Sequence, residues 1–342
     1  MENSRVLSIQ SWVCHGYVGN KCAVLALQHL GVEVDPINTV QLSNNTAYSS
    51  WKGETLSSSK LLEIYDALDH NKIADYTHVL TGYNNNAETL RSVLKIVKSL
   101  KEKNPSLIYA CDPVLGDNGK LYVPEDLVSV YRDEVIPHAD YLFPNQTEAE
   151  LLTGVQIKNE SDALIAVDKL HAIGIKNVVI TSLFLDETQK NIMMLGSQKG
   201  GSRFKIIVPK FEGYYTGTGD LFSSLLLGWS ATEPNLAVVC ERAVSTLYNI
   251  LKVTHEAKAI IPNAKNIEYH ELRLVQARHF IGSKENSNHE RVCLRKNNYI
   301  SFNLAPPTMV GETCASVKGK DLWASIPSHH YSDQLNSPQI QS

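Results

Sequence analysis

The sequence predicts an α/β fold, a three-layer αβα sandwich with a mostly parallel central sheet. Short β-rich runs alternate with helical patterns from the N-terminus to about residue 280. Each β-rich run is apolar and bounded by polar or turn residues, which is typical of buried parallel strands. This alternation implies crossover connections and a sheet that is covered by helices on both faces.

The elements follow from these patterns in chain order. The expected strands are Val6–Ile9, Val79–Leu80, Leu107–Ala110, Tyr141–Phe143 and Val178–Ile180, with Glu271–Gln276 as a candidate last strand. The expected helices are Lys21–Leu30, Ala87–Lys103, Ser161–Ile173, Leu221–Trp229 and Leu236–Thr254. Among these helices, Leu221–Trp229 has almost no polar face, so we expect it to be buried.

The composition excludes several classes of protein. The 342 residues, 43% of them apolar and 20% charged, are enough to build one large packed domain or two ordinary ones. A net charge of -4 argues against a general nucleic-acid binder. No apolar run approaches about 18 residues, and the N-terminus lacks a signal-peptide core, so we expect neither a membrane span nor export. The six cysteines are scattered, which favours reduced thiols and a cytoplasmic location.

The character of the chain changes after Ile281. The remaining residues are rich in Asn, Ser, Pro and Lys and show no sustained hydrophobic period. We therefore expect a folded domain over residues 1–280 and a mostly disordered tail over residues 281–342. Phe302 and Trp323 could mark short docking segments, and an unstructured tail is the plainer alternative.

The motif Gly217-Thr218-Gly219-Asp220 directly precedes the apolar helix. Small residues let an anion approach the backbone, the helix N-terminus offers free N–H groups, and Asp220 adds a carboxylate beside them. Phosphoryl transfer to an alcohol requires a cradle for the charge and a base for the hydroxyl. The alternative is a glycine turn in which Asp220 only caps the helix.

Polar motifs also follow three of the expected strands. Asp112 and Asp117 come after one strand, at the end that faces the ligand crevice in parallel sheets, and can hold a hydrated Mg²⁺ with ATP phosphates. The glycine-containing loop up to Tyr122 could cover those phosphates as a lid. Each motif has a structural alternative. Asp112 and Asp117 could be solvated acids in a turn, Asn145 and Glu148 could cap a helix, and Thr181-Ser182 could be a simple turn.

The acceptor side carries small polar groups and one aromatic residue. They are Ser11, the turn Gly16–Asn20, the stretch Ser43–Thr46 and the pair Gly82-Tyr83. Such groups could hold a planar polar ring by stacking and a few hydrogen bonds. Each of them alone could equally be an ordinary loop residue.

Taken in this order, the motifs resemble the ribokinase-like superfamily and, within it, the pyridoxal kinase family. The motifs that carry the resemblance over residues 5–278 are RVLSIQS, GYVGN, VQLSNNTAYSSW, LTGY, CDPVLGD, YVPEDL, PNQTEAELL and GTGD. The last motif indicates only the superfamily, whereas the N-terminal motifs together with PNQTEAELL are more specific.

The resemblance implies ATP-dependent phosphorylation of the 5′-hydroxymethyl group of pyridoxal, pyridoxine or pyridoxamine. It implies that Asp220 is the catalytic base and that Gly217, Thr218 and Gly219 surround the γ-phosphate. The remaining implied contacts are Ser11, Val18, Thr46 and Tyr83 for the acceptor, Asp117 for Mg²⁺ (or Zn²⁺), Asp112, Glu148 and Thr181 for K⁺ or Na⁺ and ATP, and Tyr122, Asn145 and Ser182 for ATP.

The resemblance also implies a homodimer, and it has two departures. Asn45 stands where many family members have a histidine, and Phe143 stands where animal relatives have a threonine. These changes put a ring-side contact and a cation contact in question. A kinase of the same fold that acts on another alcohol, such as hydroxymethylpyrimidine, is the alternative function. A binding protein that has lost activity is a further alternative, but the intact motifs disfavour it.

Overall fold

A computed structural model describes residues 4–185, 188, 190–260, 270–283, 290–293 and 300–303. The chain divides into one unit that ends at Pro306 and a second unit, Pro307–Ser342, which lies outside the described residues. Trp323 belongs to that second unit. All described residues belong to the first unit.

The strands of the described residues, numbered in chain order, fall into one large sheet and one small hairpin. They are β1 Arg5–Val13, β2 Glu33–Leu42, β3 Gly53–Thr55, β4 His78–Thr81, β5 Ile108–Cys111, β6 Gly116–Asp117, β7 Lys120–Leu121, β8 Tyr141–Leu142, β9 Asn177–Leu183, β10 Asn191–Gln198, β11 Arg203–Pro209, β12 Glu290–Cys293 and β13 Ile300–Asn303.

Helices connect most of these strands. They are α1 Asn20–His29, α2 Ser58–His70, α3 Ala87–Lys103, α4 Asp126–Val130, α5 Gln146–Thr153, α6 Glu160–Ile173, α7 Thr218–Ser230 and α8 Leu236–Ile260. The described residues also contain a π-helical turn, Tyr131–Val135, and two 3₁₀ turns, Ile136–His138 and Arg278–Phe280.

The large sheet has the order β12-β13-β11-β10-β9-β8-β5-β4-β1-β2-β3 within the described residues. Its centre, from β2 through β1, β4, β5 and β8 to β9, is parallel throughout. Antiparallel pairs occur towards the two edges, where β3 joins β2 and the hairpin β10–β11 joins β9. The expected mostly parallel sheet is therefore confirmed, whereas the antiparallel hairpin was not foreseen.

Two apolar clusters cover the two faces of the sheet. One cluster joins the sheet to α2 through α6, and the other joins it to α1, α7 and α8. This arrangement confirms the three-layer sandwich. Among the described helices, none combines the length and the apolar character that crossing a lipid bilayer requires.

One expected strand is wrong. Glu271–Gln276 forms only a single parallel bridge, from Glu271 to Thr216, and then enters a turn. The alternating Leu272 and Leu274 suggested a strand, but both side chains are buried in the cluster that contains α7 and α8. Helices therefore cover them, and the alternation does not reflect a place in the sheet.

The segment expected to be mostly disordered contains two described pieces. The strands β12 and β13 pair with each other, and β13 pairs in parallel with β11. The other residues of that segment beyond 283 lie outside the described range. Their disorder, and a domain boundary near residue 280, stay predictions.

Candidate active site

The parallel centre of the sheet brings the predicted polar motifs to one edge. Because β1, β4, β5, β8 and β9 are parallel neighbours, their carboxyl ends face the same side. Ser11, Tyr83, Asp112, Asn145 and Thr181 lie at or just after these ends. The crevice at such an edge is where open α/β sheets bind ligands.

The helix α7 begins beside this edge with the GTGD motif. Gly217 has a φ of 78°, which favours glycine, and a Cβ there would lie 1.9 Å from the carbonyl oxygen of Tyr17. Thr218 and Gly219 form the first residues of the helix, whose first-turn N–H groups have no partner within the helix. From Leu221 to Trp229 every residue of α7 is buried, as expected. The helix therefore points its positive end at the crevice from a fixed position.

Asp220 lies in the first turn of α7 and remains partly exposed. The surrounding protein raises the pKa of its carboxyl group by desolvation, and a hydrogen bond from the Gly19 N–H partly opposes this rise. A Cβ at Gly19 would lie 2.4 Å from Ser11 Oγ, so the Gly19 loop packs against Ser11. Asp220 is thus connected to the acceptor side through a single residue.

Asp112 is also near Asp220. It is buried, and a Cβ at Gly219 would lie 3.9 Å from Asp112 Oδ2. Burial raises the pKa of Asp112 well above its ordinary value, and the negative charges of Glu148 and Asp220 add to the rise. A hydrogen bond with Ser223 of α7 acts in the opposite direction. The crevice therefore concentrates negative charge beside the glycine turn.

Asn145 and Glu148 form a capping box at the start of α5. The Asn145 side chain accepts from the Glu148 N–H at 3.0 Å, and the Asn145 N–H donates to Glu148 Oε2 at 2.8 Å. The other Glu148 oxygen accepts from the Leu115 N–H at 3.0 Å, while Asn145 Nδ2 donates to the Gly116 carbonyl at 2.7 Å. Burial raises the pKa of Glu148 to about 8, even though backbone N–H donors oppose the rise. The capping interpretation is therefore correct, and any ligand contact would be additional.

The hairpin β6–β7 projects over this region. Asp117 accepts hydrogen bonds from the backbone and side chain of Asn118 at 2.8 and 3.0 Å. The Gly119 N–H donates to the Thr147 hydroxyl of α5 at 2.9 Å, which ties the hairpin to that helix. Tyr122 is 52% exposed, and its pKa is raised by burial and by a hydrogen bond with Tyr214, which is also exposed. The two rings thus approach each other from the hairpin and from the loop before α7.

Thr181 and Ser182 lie within the last part of β9, where both are partly exposed. The Thr181 hydroxyl donates to the Pro144 carbonyl at 3.4 Å. Phe143 is buried in the cluster on the α7 side of the sheet, so its side chain is directed into the core. Phe143 therefore provides no side-chain oxygen at the position where animal relatives have a threonine.

The acceptor-side residues come from β1, which contains Ser11, and from three loops. The pairing of β1 with β2 is irregular between Gln10 and Trp12, where β2 has one residue more than β1, so Ser11 lies opposite a bulge in β2. Val18 and Tyr83 are half-buried, and Thr46 is exposed. Burial raises the pKa of Tyr83, whose carbonyl accepts from the Thr39 hydroxyl at 3.0 Å.

Sequence reasoning missed Glu271, which is 7% exposed. Its carboxylate accepts hydrogen bonds from Asn45 Nδ2 at 2.7 Å, the Tyr17 N–H at 3.1 Å and the Thr216 hydroxyl at 3.3 Å. The only sequence signal was a glutamate between His270 and Leu272 near the end of the recognisable domain. We interpreted that segment as a strand, and this interpretation concealed the role of the carboxylate.

Within the described part of the chain, no three His, Cys, Asp or Glu side chains are grouped closely enough to hold a metal by themselves. A site in which one or two carboxylates share a cation with ligand phosphates does not require such a group. Asp112 and Glu148 are buried acids, and the pKa of Asp112 is raised first by burial and then by the charge of Glu148. The donor set is therefore suited to cations that arrive with a nucleotide.

The sequence model of the phosphomethylpyrimidine kinase family matches residues 74–265. This match contains the acids, the capping box and the GTGD motif. It leaves out β1 through α2, where Ser11, Val18 and Thr46 lie. Of the four residues expected to border the acceptor ring, Tyr83 alone lies within the match.

Curated relatives match more than four fifths of the chain. The chain is 63% identical to the pyridoxal kinase of Dictyostelium discoideum over 291 residues, which cover 82% of this chain and 96% of the relative. The chain belongs to the pyridoxal kinase family. It is also 45% identical to the human pyridoxal kinase over 305 residues, covering 83% of this chain and 97% of that one. These matches cover a larger share of the chain than the family model does.

Solved structures of the pyridoxal kinase family agree with this assignment. The pyridoxal kinase of Leishmania donovani in complex with ADP and pyridoxamine matches with a TM-score of 0.77 and 36% identity, over 82% of this chain and 97% of that chain. The pyridoxal kinase of Entamoeba histolytica matches with a TM-score of 0.75 and 29% identity, over 87% of this chain and 99% of that chain. The ribokinase-like fold is thereby confirmed.

Proposed function

We propose that this chain transfers the γ-phosphoryl group of ATP to the 5′-hydroxymethyl group of pyridoxal, and of pyridoxine and pyridoxamine. The product with pyridoxal is pyridoxal 5′-phosphate, so the reaction serves vitamin B6 salvage. The observation that carries the proposal is the position of Asp220. Its carboxylate accepts a hydrogen bond from the Gly19 N–H of the acceptor side and is near enough to raise the pKa of the buried acid Asp112, and it lies in the first turn of a buried helix.

Asp220 accepts the proton of the acceptor hydroxyl while the oxygen attacks the γ-phosphorus in line. Burial raises the pKa of Asp220, which brings the carboxylate closer to the proton affinity that an effective general base needs at neutral pH. The N–H groups of Gly217, Thr218 and Gly219 donate hydrogen bonds that stabilise the charge developing on the phosphoryl oxygens. Because these donors belong to a fixed helix, little reorganisation is needed during transfer.

The nucleotide lies, in this proposal, along α5, the end of β9 and the hairpin β6–β7. Asn145, Glu148, Thr181 and Ser182 border it, and Tyr122 covers it from the hairpin. A divalent cation, Mg²⁺ or Zn²⁺, held near Asp117 supplies positive charge beside the phosphates. A monovalent cation, K⁺ or Na⁺, near Asp112, Glu148 and Thr181 offsets the charge of the buried acids, which is what the raised pKa values of Asp112 and Glu148 favour.

The acceptor ring is bordered by Ser11, Val18, Thr46 and Tyr83. Tyr83 offers a half-buried aromatic face, and the Ser11 hydroxyl lies against the Gly19 loop that contacts Asp220. A flat heteroaromatic ring with a hydroxymethyl arm fits one stacking face and a few small polar groups.

The deciding experiment is an ATP-dependent assay of pyridoxal phosphate formation by the purified chain, with pyridoxal, pyridoxine, pyridoxamine and hydroxymethylpyrimidine as acceptors. We expect the three vitamers to be phosphorylated with a higher kcat/KM than the pyrimidine. The match to the phosphomethylpyrimidine kinase family favours hydroxymethylpyrimidine as the second candidate. A higher kcat/KM for the pyrimidine would overturn the proposed acceptor.

We further propose that the protein is a homodimer in a reducing, cytoplasmic compartment. The thiols of Cys14, Cys22, Cys111 and Cys240 are free among the described residues, which suits a reducing environment. Trp51, on the acceptor side, is 46% exposed and offers an apolar contact for a second copy. Light scattering of the purified chain tests the assembly, and fluorescence microscopy of a tagged chain tests the location.

A further inference from the structure

Glu271 connects three separate segments through its carboxylate. Its hydrogen bonds come from the side chain of Asn45, the N–H of Tyr17 and the hydroxyl of Thr216. All three groups are donors, so a carboxylate is the only side chain of this length that can satisfy them without rotation of a partner. At 7% exposure, the group is removed from solvent.

The backbone at Gly16 packs directly on the same carboxylate. Gly16 has a φ of 86°, and a Cβ there would lie 2.3 Å from both carboxylate oxygens. A side chain at this position would therefore displace Glu271 in addition to straining the backbone. The GYVGN turn is thus shaped around the carboxylate as well as hydrogen-bonded to it.

The main chain of Glu271 is itself anchored to the helices. It forms a parallel bridge with Thr216, whose N–H donates to the His270 carbonyl at 3.1 Å. The next residue, Leu272, is buried against the α7 and α8 side of the core, and the Arg273 N–H donates to the Thr254 hydroxyl at 3.0 Å. Glu271 is therefore a fixed point relative to the start of α7.

Each donor to Glu271 directly precedes a residue of the proposed site. Asn45 precedes Thr46, Tyr17 precedes Val18, and Thr216 precedes Gly217. We propose that Glu271 is a positioning residue that sets the acceptor loops relative to the first turn of α7, and with it the distance from the acceptor hydroxyl to Asp220. This inference rests on the proposed phosphorylation of a small alcohol, and Glu271 acts through its neighbours.

The competing explanation is that Glu271 only stabilises the fold. Asp140 provides a matched comparison, because it is also a buried carboxylate with three donors. It accepts from Lys101 at 2.7 Å, Lys176 at 2.8 Å and the Tyr109 N–H at 3.0 Å. It directly precedes β8 and thus lies at the opposite edge of the sheet from the site. Asp140→Asn therefore reports the cost of weakening a buried carboxylate network without touching the acceptor loops.

The test exchanges the hydrogen-bond donor and the hydrogen-bond acceptor between Asn45 and Glu271. Glu271→Gln places an amide N–H₂ against the groups that donate to Glu271. Asn45→Asp places two carboxylates against each other. It keeps a side-chain oxygen that accepts from the Ala47 N–H. The double variant Asn45→Asp/Glu271→Gln restores one donor and one acceptor across the contact, in reversed order. KM for pyridoxal, KM for ATP, kcat and thermal midpoint are measured for all three variants and for Asp140→Asn.

We expect each single variant to raise KM for pyridoxal about tenfold or more and to lower kcat, with KM for ATP within about twofold of the unmodified chain. The double variant should recover most of both losses. Asp140→Asn should lower the thermal midpoint and leave the ratio of the two KM values unchanged. These results together would support the positioning role.

The proposal is overturned if the Glu271 and Asn45 variants behave like Asp140→Asn, losing thermal stability without a selective rise in KM for pyridoxal. Failure of both single variants and the double variant to fold would also assign Glu271 a purely structural role. Calorimetric binding of pyridoxal in the presence of a non-hydrolysable ATP analogue separates this inference from the proposed function. If the unmodified chain phosphorylates another alcohol of the panel instead, the proposed acceptor fails, and the same comparison is made with that alcohol.

Discussion

The proposed nucleotide side and the proposed acceptor side of this site are built in different ways. On the nucleotide side, Asn145 and Glu148 cap one helix from positions three residues apart. On the acceptor side, Asn45 reaches Glu271 across 226 positions, and Tyr17 reaches it across 254. Local motifs therefore shape the first region, whereas the second depends on where the whole chain brings distant loops. Perturbations of the two regions should accordingly have different signatures.

The largest effect is expected at Asp220, where the two sides meet. Asp220→Ala removes the proposed proton acceptor, so kcat should fall about 10²–10⁴-fold, the usual range for a general base. ATP should still bind, because the nucleotide side does not depend on this side chain. Steady-state kinetics and calorimetric ATP titration check both points. Near-normal turnover in this variant would end the assignment of Asp220 as the base.

Gly217→Ala should have the next largest effect. A Cβ at Gly217 would collide with the Tyr17 carbonyl, so the variant must move either the acceptor loop or the glycine turn. We expect kcat to fall about 10²-fold, as when a donor to a developing oxyanion is lost.

Gly154→Ala is the matched control for that substitution, since Gly154 also has a positive φ, of 68°, but a Cβ there meets nothing within 4 Å. It should cost about 1 kcal/mol of stability and leave kcat unchanged. Equal losses of kcat in both variants would mean that backbone strain, and not the position of the turn, explains the effect.

A pair of tyrosines separates the two sides directly. Tyr83→Ala removes the half-buried aromatic face on the acceptor side and should raise KM for pyridoxal about tenfold, since such contacts are worth about 0.5–1.5 kcal/mol beyond the buried area. Tyr122→Ala removes the exposed ring of the hairpin and should raise KM for ATP about two- to fivefold, the weaker effect that an exposed ring predicts. A rise in both KM values for either variant would show that the two sides are not independent.

The smallest expected effect concerns stability and pH on the nucleotide side. The pKa of Glu148 is raised from 4.5 to about 8, so the folded state holds a proton that the unfolded state has released. The contribution of this proton to the free energy of unfolding is therefore complete below the ordinary pKa of Glu148. It is lost as the pH rises towards about 8. We expect the thermal midpoint to fall by about 3–6 °C between about pH 6 and pH 8.5.

Two additions sharpen that measurement. Glu148→Gln should flatten the dependence on pH, and ATP with Mg²⁺ and K⁺ should reduce it in the unmodified chain by offsetting the buried charge. A midpoint that does not change over this range, with or without these additions, would contradict the electrostatic account of the acids.

The sequence predicted the sheet centre well because its strands and helices depend on local patterns. The helix Ala87–Lys103 has the expected bounds, and the burial of α7 follows from its apolar residues. The antiparallel hairpin β10–β11 was missed, since strand direction depends on pairing partners and not on apolar content.

Asp220 and the motif around it were apparent from sequence spacing alone, whereas their electrostatics were not. An aspartate with an ordinary pKa is a weak base, and only its surroundings raise that pKa. In the same way, nothing in the sequence indicated that Asn145 would use both polar atoms of its side chain within the protein.

The sequence by itself determined the fold class, the order of the elements and the placement of polar motifs at strand ends, because these follow from hydrophobic periodicity and turn chemistry. Only the tertiary structure decided that Glu271 would join Asn45, Tyr17 and Thr216. The contacts with Asn45 and Tyr17 span more than two hundred positions and leave no periodic signal in a single chain. The position of the acceptor loops relative to the GTGD motif therefore had to come from the folded structure.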